Sequence, residues 1–226
     1  MRRTPEPEIM GEDAEAKVYE LADFSEVNQA FAERVVGLAP HPYGVLVDLG
    51  CGPGDILVRI LGLTRTFMSL GLDGSKTMLD LAREKIRAGA LENSIHLIQS
   101  DAKSLNFPAD CFDVVISNSL VHHLPDPLPF WKEVHRVCRP GGIILVQDLS
   151  RPDTPEEARR IVERESGSEP QLLKDLFFYS LLASFTPDEV EEHLAAAGLT
   201  GVTVRMSSDR HWEVAGKNTK KGRVAS

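Results

Sequence analysis

Apolar residues in this chain fall into two alternating patterns. Short strand-like runs occupy 45–49, 66–72, 95–99, 112–117 and 143–147, and amphipathic stretches of helical period lie between most of them. Ile56, Leu57, Ile60 and Leu61 share one helix face. Met78, Leu79, Ala82 and Ile86 share another, on a helix capped by Ser75 and ended near Gly89. A third helix, started by Asp126-Pro127, carries Phe130, Trp131, Val134 and Cys138 inward. Before the first strand, 13–39 reads as helical, with Val27, Phe31 and Leu38 on one side behind a Ser25 cap, and Pro40 and Pro42 close it. After Asp148 the chain turns charged and helical. Thr154-Pro155-Glu156-Glu157 and Thr186-Pro187-Asp188-Glu189 both read as capping boxes, and Gly198 stops the second helix. Two last runs, 201–206 and 211–215, flank Ser207-Ser208-Asp209-Arg210 and read as a hairpin. The pattern predicts an α/β fold: a mostly parallel sheet with helices on both faces, ended by an antiparallel hairpin.

One loop carries candidate chemistry. Val45-Leu46-Val47-Asp48-Leu49 runs into Gly50-Cys51-Gly52-Pro53-Gly54 and then into a helix. Glycine at every second position lets backbone approach a ligand closely, and the helix start directs free N–H groups into the loop. Asp73 ends the second strand, where a carboxylate can hold ribose hydroxyls. These features predict an adenosine-ligand site. The spacing is G-x-G-x-G, and Asp55 stands where a third dinucleotide glycine would. A carboxylate there disfavours a pyrophosphate and suits a cationic ligand.

With the later segments, the loop resembles motif I of the class I S-adenosylmethionine-dependent methyltransferases. Gly71-Leu72-Asp73-Gly74-Ser75, Ser100-Asp101-Ala102, Phe112 through Asn118 and Arg139-Pro140-Gly141-Gly142 match further family segments in the same order, so the resemblance spans about 44–148. It implies a Rossmann-like seven-stranded sheet with S-adenosylmethionine as cofactor. The implied cofactor-binding set is Asp48, Gly50, Cys51, Gly52, Gly54, Asp73, Gly74, Met78, Asp101, Ala102 and Asn118. Within it, Gly50 and Gly52 contact the methionyl part, Asp73 takes the ribose hydroxyls, Asp101 and Ala102 read the adenine, and Asn118 faces the ammonium. Asp113 is expected to cap or to face solvent.

His122 and His123, just past the fourth strand, are the candidate catalytic residues, since imidazole titrates near neutrality. Neighbouring histidines are expected to point apart, leaving at most one on the ligand. No metal-ligand spacing follows that strand, and no metal is expected. Acceptor determinants are sought in two flanking decorations: Tyr19, Phe24 and Asn28 in 13–39, and Arg151, Phe177, Phe178 and Tyr179 in 149–185, with His211 and Trp212 on the last strand.

Composition narrows the partners. The 226 residues hold 25 Lys plus Arg against 34 Asp plus Glu, a net charge of −9, which disfavours nucleic acid. No apolar run approaches the ~20 residues a membrane span needs, and the first residues lack the apolar core of a signal peptide. Cys51, Cys111 and Cys138 read as three reduced thiols, and a cytoplasmic location is expected. The expected organisation is a helical lid over 1–43 whose first twelve residues are a flexible lead, a binding core over 44–148, a substrate-side insertion over 149–185, a last helix and hairpin over 186–216, and a flexible tail over 217–226. The expected function is methyl transfer to an O, N, S or C nucleophile of a small molecule. Aminopropyl transfer and non-catalytic cofactor binding are the alternatives; oligomeric state is not read.

Overall fold

The computed structural model describes residues 1–6, 24–39 and 44–220. Seven strands form one sheet: β1 (Gly44–Leu49), β2 (Phe67–Asp73), β3 (Ile95–Gln99), β4 (Phe112–Asn118), β5 (Cys138–Leu149), β6 (Val202–Met206) and β7 (His211–Lys217). Their order across the sheet is β3-β2-β1-β4-β5-β7-β6. β1 to β5 are parallel, and β7 runs antiparallel to both β5 and β6. The chain winds outward through β2 and β3, then returns to lay β4 on the other side of β1. Ligands of such sheets bind at that reversal, outside the carboxyl ends of the strands.

Alternation along each strand divides the core. Leu46, Ile116 and Leu145 face one side, beneath α1 (Ser25–Leu38), α2 (Asp55–Leu63) and α3 (Lys76–Ala88). Val47, Val115, Ile144 and Val146 face the other, beneath α4 (Leu128–Val137) and α7 (Pro187–Ala197). Trp131 and Trp212 are fully buried on that second side, ring centroids 6.4 Å apart. A third cluster joins α5 (Pro155–Ser166) to α6 (Gln171–Ala183) through Ala158, Ile161, Val162 and Leu181. Among the described residues, no helix is long and apolar enough to cross a membrane.

Several local expectations change. α1 begins at Ser25, with Phe24 rather than Ser25 in the capping position, and its buried residues are Phe31, Ala32 and Val35. The 13–23 part of the expected helix, with Tyr19, lies outside the described residues. Cys138 opens β5 instead of closing α4, and it is buried there. The second capping box is complete. The first is only half formed: Thr154 Oγ1 accepts from the Glu157 N–H, but Glu157 reaches back to the Asp153 N–H.

Both chain ends are more engaged than expected. Thr4 N–H donates to the Leu182 carbonyl, and Arg3 donates to four carbonyls, so the flexible lead is a docked strap over residues 1–6. Asn218 is buried and donates to the His135 and Cys138 carbonyls, and Lys220 donates to the His135 and Arg136 carbonyls. Backbone carbonyls left over at the end of α4 recruit these donors.

Candidate active site

A cavity of about 590 Å³ opens at the carboxyl ends of β1, β2 and β4. Its floor is the glycine loop. Gly50 and Cys51 both donate to the Leu72 carbonyl, at 2.7 and 2.9 Å, which ties the loop to β2. Gly50 and Gly52 take positive φ of 75° and 51°. A Cβ on Gly50 would stand 2.8 Å from Leu120, whereas one on Gly52 would meet no protein atom and project into the open cavity. Gly71, opposite Asp48 across β1 and β2, leaves space for a neighbour: a Cβ there would lie 2.9 Å from Cys51 Sγ.

Asp73 organises the rim. Its Oδ2 accepts from the Gly52 N–H and its Oδ1 from the Ser75 N–H, each at 2.8 Å. Ser75 then caps α3 by accepting from the Met78 N–H. Each Asp73 oxygen keeps a second acceptor position for a ligand hydroxyl. Asp48 differs: it is 1% exposed and its Oδ2 has no hydrogen-bond partner. Burial, reinforced by the nearby Asp73 charge, pushes its carboxyl up to about 8. Burial also raises Asp73, against the pull of the Ser75 and Gly52 amides, and holds the Cys51 thiol well above its ordinary value.

Of the predicted cofactor set, Asp48, Gly50, Cys51, Gly52, Asp73, Gly74, Met78, Asp101, Ala102 and Asn118 all line the cavity. Gly54 does not. It sits at the start of α2 with φ 75°, and a Cβ there would lie 3.1 Å from Ala82 Cβ, so it serves the contact between α2 and α3. Asp101 Oδ1 accepts from the Lys103 N–H, and Asn118 Oδ1 accepts from Gln147. Asp55 lines the wall, but its Oδ2 already accepts from Arg59 and Asn28, so its charge is balanced locally and bears less on the ligand than its position suggests. Asp113 holds the Val45 N–H and pairs with Arg139, away from this wall.

The histidines sit on a 3-10 turn, Val121–His123. They do not point apart: on this tight turn their ring centroids are 3.9 Å from one another. His123 lines the cavity and His122 does not. The His122 ring Nδ1 lies 2.6 Å from Asp148 Oδ1, and its N–H donates to Asp148 Oδ2. Burial works against the imidazolium, but the Asp148 carboxylate overrides it, raising His122 and lowering Asp148. Burial and the neighbouring His122 lower His123, while Glu6 pulls the other way.

Of the acceptor candidates, Phe24 and Asn28 reach the cavity. Phe177 and Phe178 pack against the third core cluster, Tyr179 is exposed, and Arg151 holds the Ser184 carbonyl and Glu189. Trp212 is core, and burial takes His211 down to about 4. Residues not singled out in the sequence also line the wall: Ser119, which holds φ 57° directly after Asn118, Leu120 and Leu124. A doublet of a strand end and an apolar turn carries no separate signal for them.

The fold and the cavity define a doubly wound α/β domain whose candidate ligand site lies at its topological reversal. Comparison with known proteins makes this specific. A methyltransferase domain family matches residues 47–146. The chain is 27% identical to 27-O-demethylrifamycin SV methyltransferase of Amycolatopsis mediterranei over 80% of its length and 63% of that protein's. It is 34% identical to the demethylmenaquinone methyltransferase of Lactobacillus johnsonii over 48% and 45% of the two chains. The chain thus spans less than two thirds of the length of these curated relatives. A putative S-adenosyl-L-methionine-dependent methyltransferase from Methanococcus maripaludis has the same fold, with a TM-score of 0.72 at 16% identity over 98% of this chain and all of that one. Residues 47–146 thus match a methyltransferase domain, and the chain shares the fold of an S-adenosyl-L-methionine-dependent methyltransferase, so S-adenosylmethionine is the cofactor to weigh against the cavity. The residues present fit that cofactor. A buried, unpartnered Asp48 oxygen suits a cationic group, and the bare Gly52 backbone admits a ligand that any side chain would displace.

Proposed function

We propose that this protein transfers a methyl group from S-adenosylmethionine to a small-molecule acceptor. The observation that carries the reading is Asp48, a carboxylate 1% exposed with an unpartnered oxygen, on the wall of a cavity floored by bare glycine backbone. Asp48, Gly50, Cys51 and Gly52 hold the methionyl end, and Asn118 presents its carbonyl to the ammonium. Asp73 and Gly74 hold the ribose; Asp101, Ala102 and Met78 hold the adenine. Gly54 supports these residues from behind. The bound cofactor supplies a methyl group already activated on a sulfonium, so the protein's task is to align the acceptor and exclude water.

The acceptor end is formed by Phe24, Asn28, Leu120, His123 and Leu124, which line the same cavity. α1 serves as a cover of which only the first turn meets ligand, because Phe31, Ala32 and Val35 are core and Arg34 pairs with Glu213 of β7. A small-molecule acceptor, with an O, N, S or C nucleophile, fits the modest volume and the mixed lining. The relatives' names, a demethylrifamycin and a demethylmenaquinone enzyme, support a small molecule without choosing the accepting atom. The net charge of −9 weighs against nucleic acid, and three free thiols support a cytoplasmic setting.

The experiment is methyl-labelled S-adenosylmethionine offered with a panel of a naphthol, a quinol, a thiol and a primary amine. Label in any of them, with equal release of demethylated cofactor, supports the reading. Cofactor binding without transfer to any metabolite fraction would favour a non-catalytic binding protein instead.

A further inference from the structure

The strap formed by residues 1–6 reaches the candidate catalytic turn. Arg3 donates to the His122, Leu124 and Pro125 carbonyls at 2.9, 2.7 and 3.2 Å, and to the Ala183 carbonyl at 2.5 Å. Its guanidinium also stacks 3.9 Å over the Phe185 ring. Three residues on, Glu6 lies with its Oε2 3.3 Å from His123 Nδ1, and the same oxygen accepts from Ser180 Oγ at 3.4 Å. Glu6 is largely covered, with 12% of its side chain exposed, and it does not line the cavity. An acidic residue from the far end of the chain is thus held against His123, which alone among the described histidines lines the cavity.

We propose that His123 takes the proton of the acceptor nucleophile and that Glu6 is the positioning residue that prepares it, an assignment that rests on the methyltransferase reading above. The Glu6 carboxylate accepts a hydrogen bond from the His123 Nδ1–H. That fixes the tautomer, leaving Nε2 as the bare nitrogen available to a ligand. In the reaction, the acceptor's O–H, N–H or S–H proton passes to His123 Nε2 as the new bond to the methyl carbon forms. The carbon–sulfur bond breaks with its electron pair going to sulfur, and Glu6 balances the imidazolium that results. The acceptor class this selects is a nucleophile that must lose a proton, rather than one already anionic.

His122 is unsuited to the same task. It lies outside the cavity wall, buried against Asp148, so no acceptor in the cavity reaches it. The groups facing His123 are Glu6 from the strap, His122 from its own turn, Asp148 from β5 and, at longer range, Asp73 from β2. Burial and His122 together favour neutral His123 near pH 7, the state a base needs.

The test uses the full chain with ¹⁵N-labelled histidine, His123 being assigned by the signals lost in His123→Gln. In the wild type, neutral His123 should carry its proton on Nδ1. Glu6→Gln should weaken that preference and shift the His123 titration downward by about half a unit or more. Arg3→Ala, which releases the strap, should reproduce the shift. An unchanged tautomer and titration in a folded Glu6→Gln variant would overturn the proposal. Calorimetry on the same samples separates it from the parent reading. Glu6→Gln should bind S-adenosylmethionine within about twofold of wild type, whereas a wild type that does not bind it would sink the methyltransferase reading and leave the histidine result to be judged alone. With an acceptor in hand, Glu6→Gln should lower kcat tenfold or more at unchanged KM, and His123→Gln by about a hundredfold, the scale of a general base. Full activity in either variant would also overturn it.

Discussion

Replacing Asp48 by Asn should remove a pH-dependent cost that the fold carries at its binding loop. The carboxyl titrates near 8 in the folded chain and near its ordinary value of 3.8 when unfolded. Between those values the folded state binds the proton that the unfolded state releases, so stability falls as pH rises. The slope is about 1.4 kcal/mol per pH unit, which makes the cost about 1.6 kcal/mol at pH 5 and about 4 kcal/mol at pH 7, both as upper limits. Asn carries no such charge. Its unpartnered amide adds an offset of its own, but that offset does not change with pH. The measurement is therefore the difference in unfolding free energy between Asp48→Asn and wild type, from urea melts at pH 5, 6 and 7. The variant should gain on wild type at each step. Two parallel stability profiles would refute the reasoning, and so would a variant that loses ground as pH rises.

The same carboxylate links binding to protons. A cation placed against Asp48 favours its ionised form, so binding S-adenosylmethionine below pH 8 should expel a proton, and affinity should rise with pH toward that value. The effect should vanish in Asp48→Asn.

Other expectations are simpler. Gly52→Ala should cost about 1 kcal/mol of stability, from a side chain at positive φ, yet weaken cofactor binding more than tenfold, because its Cβ enters only ligand space; isothermal calorimetry beside thermal melts separates the two. Asp73→Ala should weaken binding by ~1.5–3 kcal/mol while the chain stays folded, since it removes hydrogen bonds to a charged acceptor; an unchanged Kd would count against its ribose role. Trp212→Ala should destabilise by about 3–5 kcal/mol, through a cavity beside Trp131, with no specific effect on cofactor affinity in the remaining folded protein.

How far the sequence carried each of these arguments depends on the range of the interactions involved. Strand and helix positions in the core depend on local period, so β3 was legible to the residue, and most other boundaries moved by only one or two. The glycine loop was legible because positive φ and close approach leave a mark in the identity of the residue itself, as Gly50 and Gly52 show. Gly54 carries the same mark for another reason, contact with Ala82, and spacing alone does not distinguish a glycine that admits a ligand from one that admits a helix. The caps were legible as motifs but not in their completeness, since Glu157 accepts from the Asp153 N–H and not from that of the capping Thr154.

The histidine turn marks where local reading ends. His122 and His123 are adjacent and chemically identical in sequence, and what divides their roles arrives from elsewhere: Asp148 from the end of β5 and Glu6 from the far end of the chain. No spacing rule links residue 6 to residue 123. Polar, proline-rich composition at a terminus argues for a frayed lead, and it does so because composition is blind to a single arginine finding four carbonyls at once. Arg3 finds them because a tight turn and the end of α6 leave their carbonyls without helical partners, and a planar guanidinium can satisfy several in one plane. That recognition is tertiary in origin. The glycine-loop wall of the cavity is thus written in nearly consecutive residues, whereas the opposite wall brings Phe24 and Asn28 together with the histidine turn, which the strap holds from behind. Substitutions at Arg3 or Glu6 should accordingly change the protonation of His123 without disturbing the glycine loop, which they do not touch.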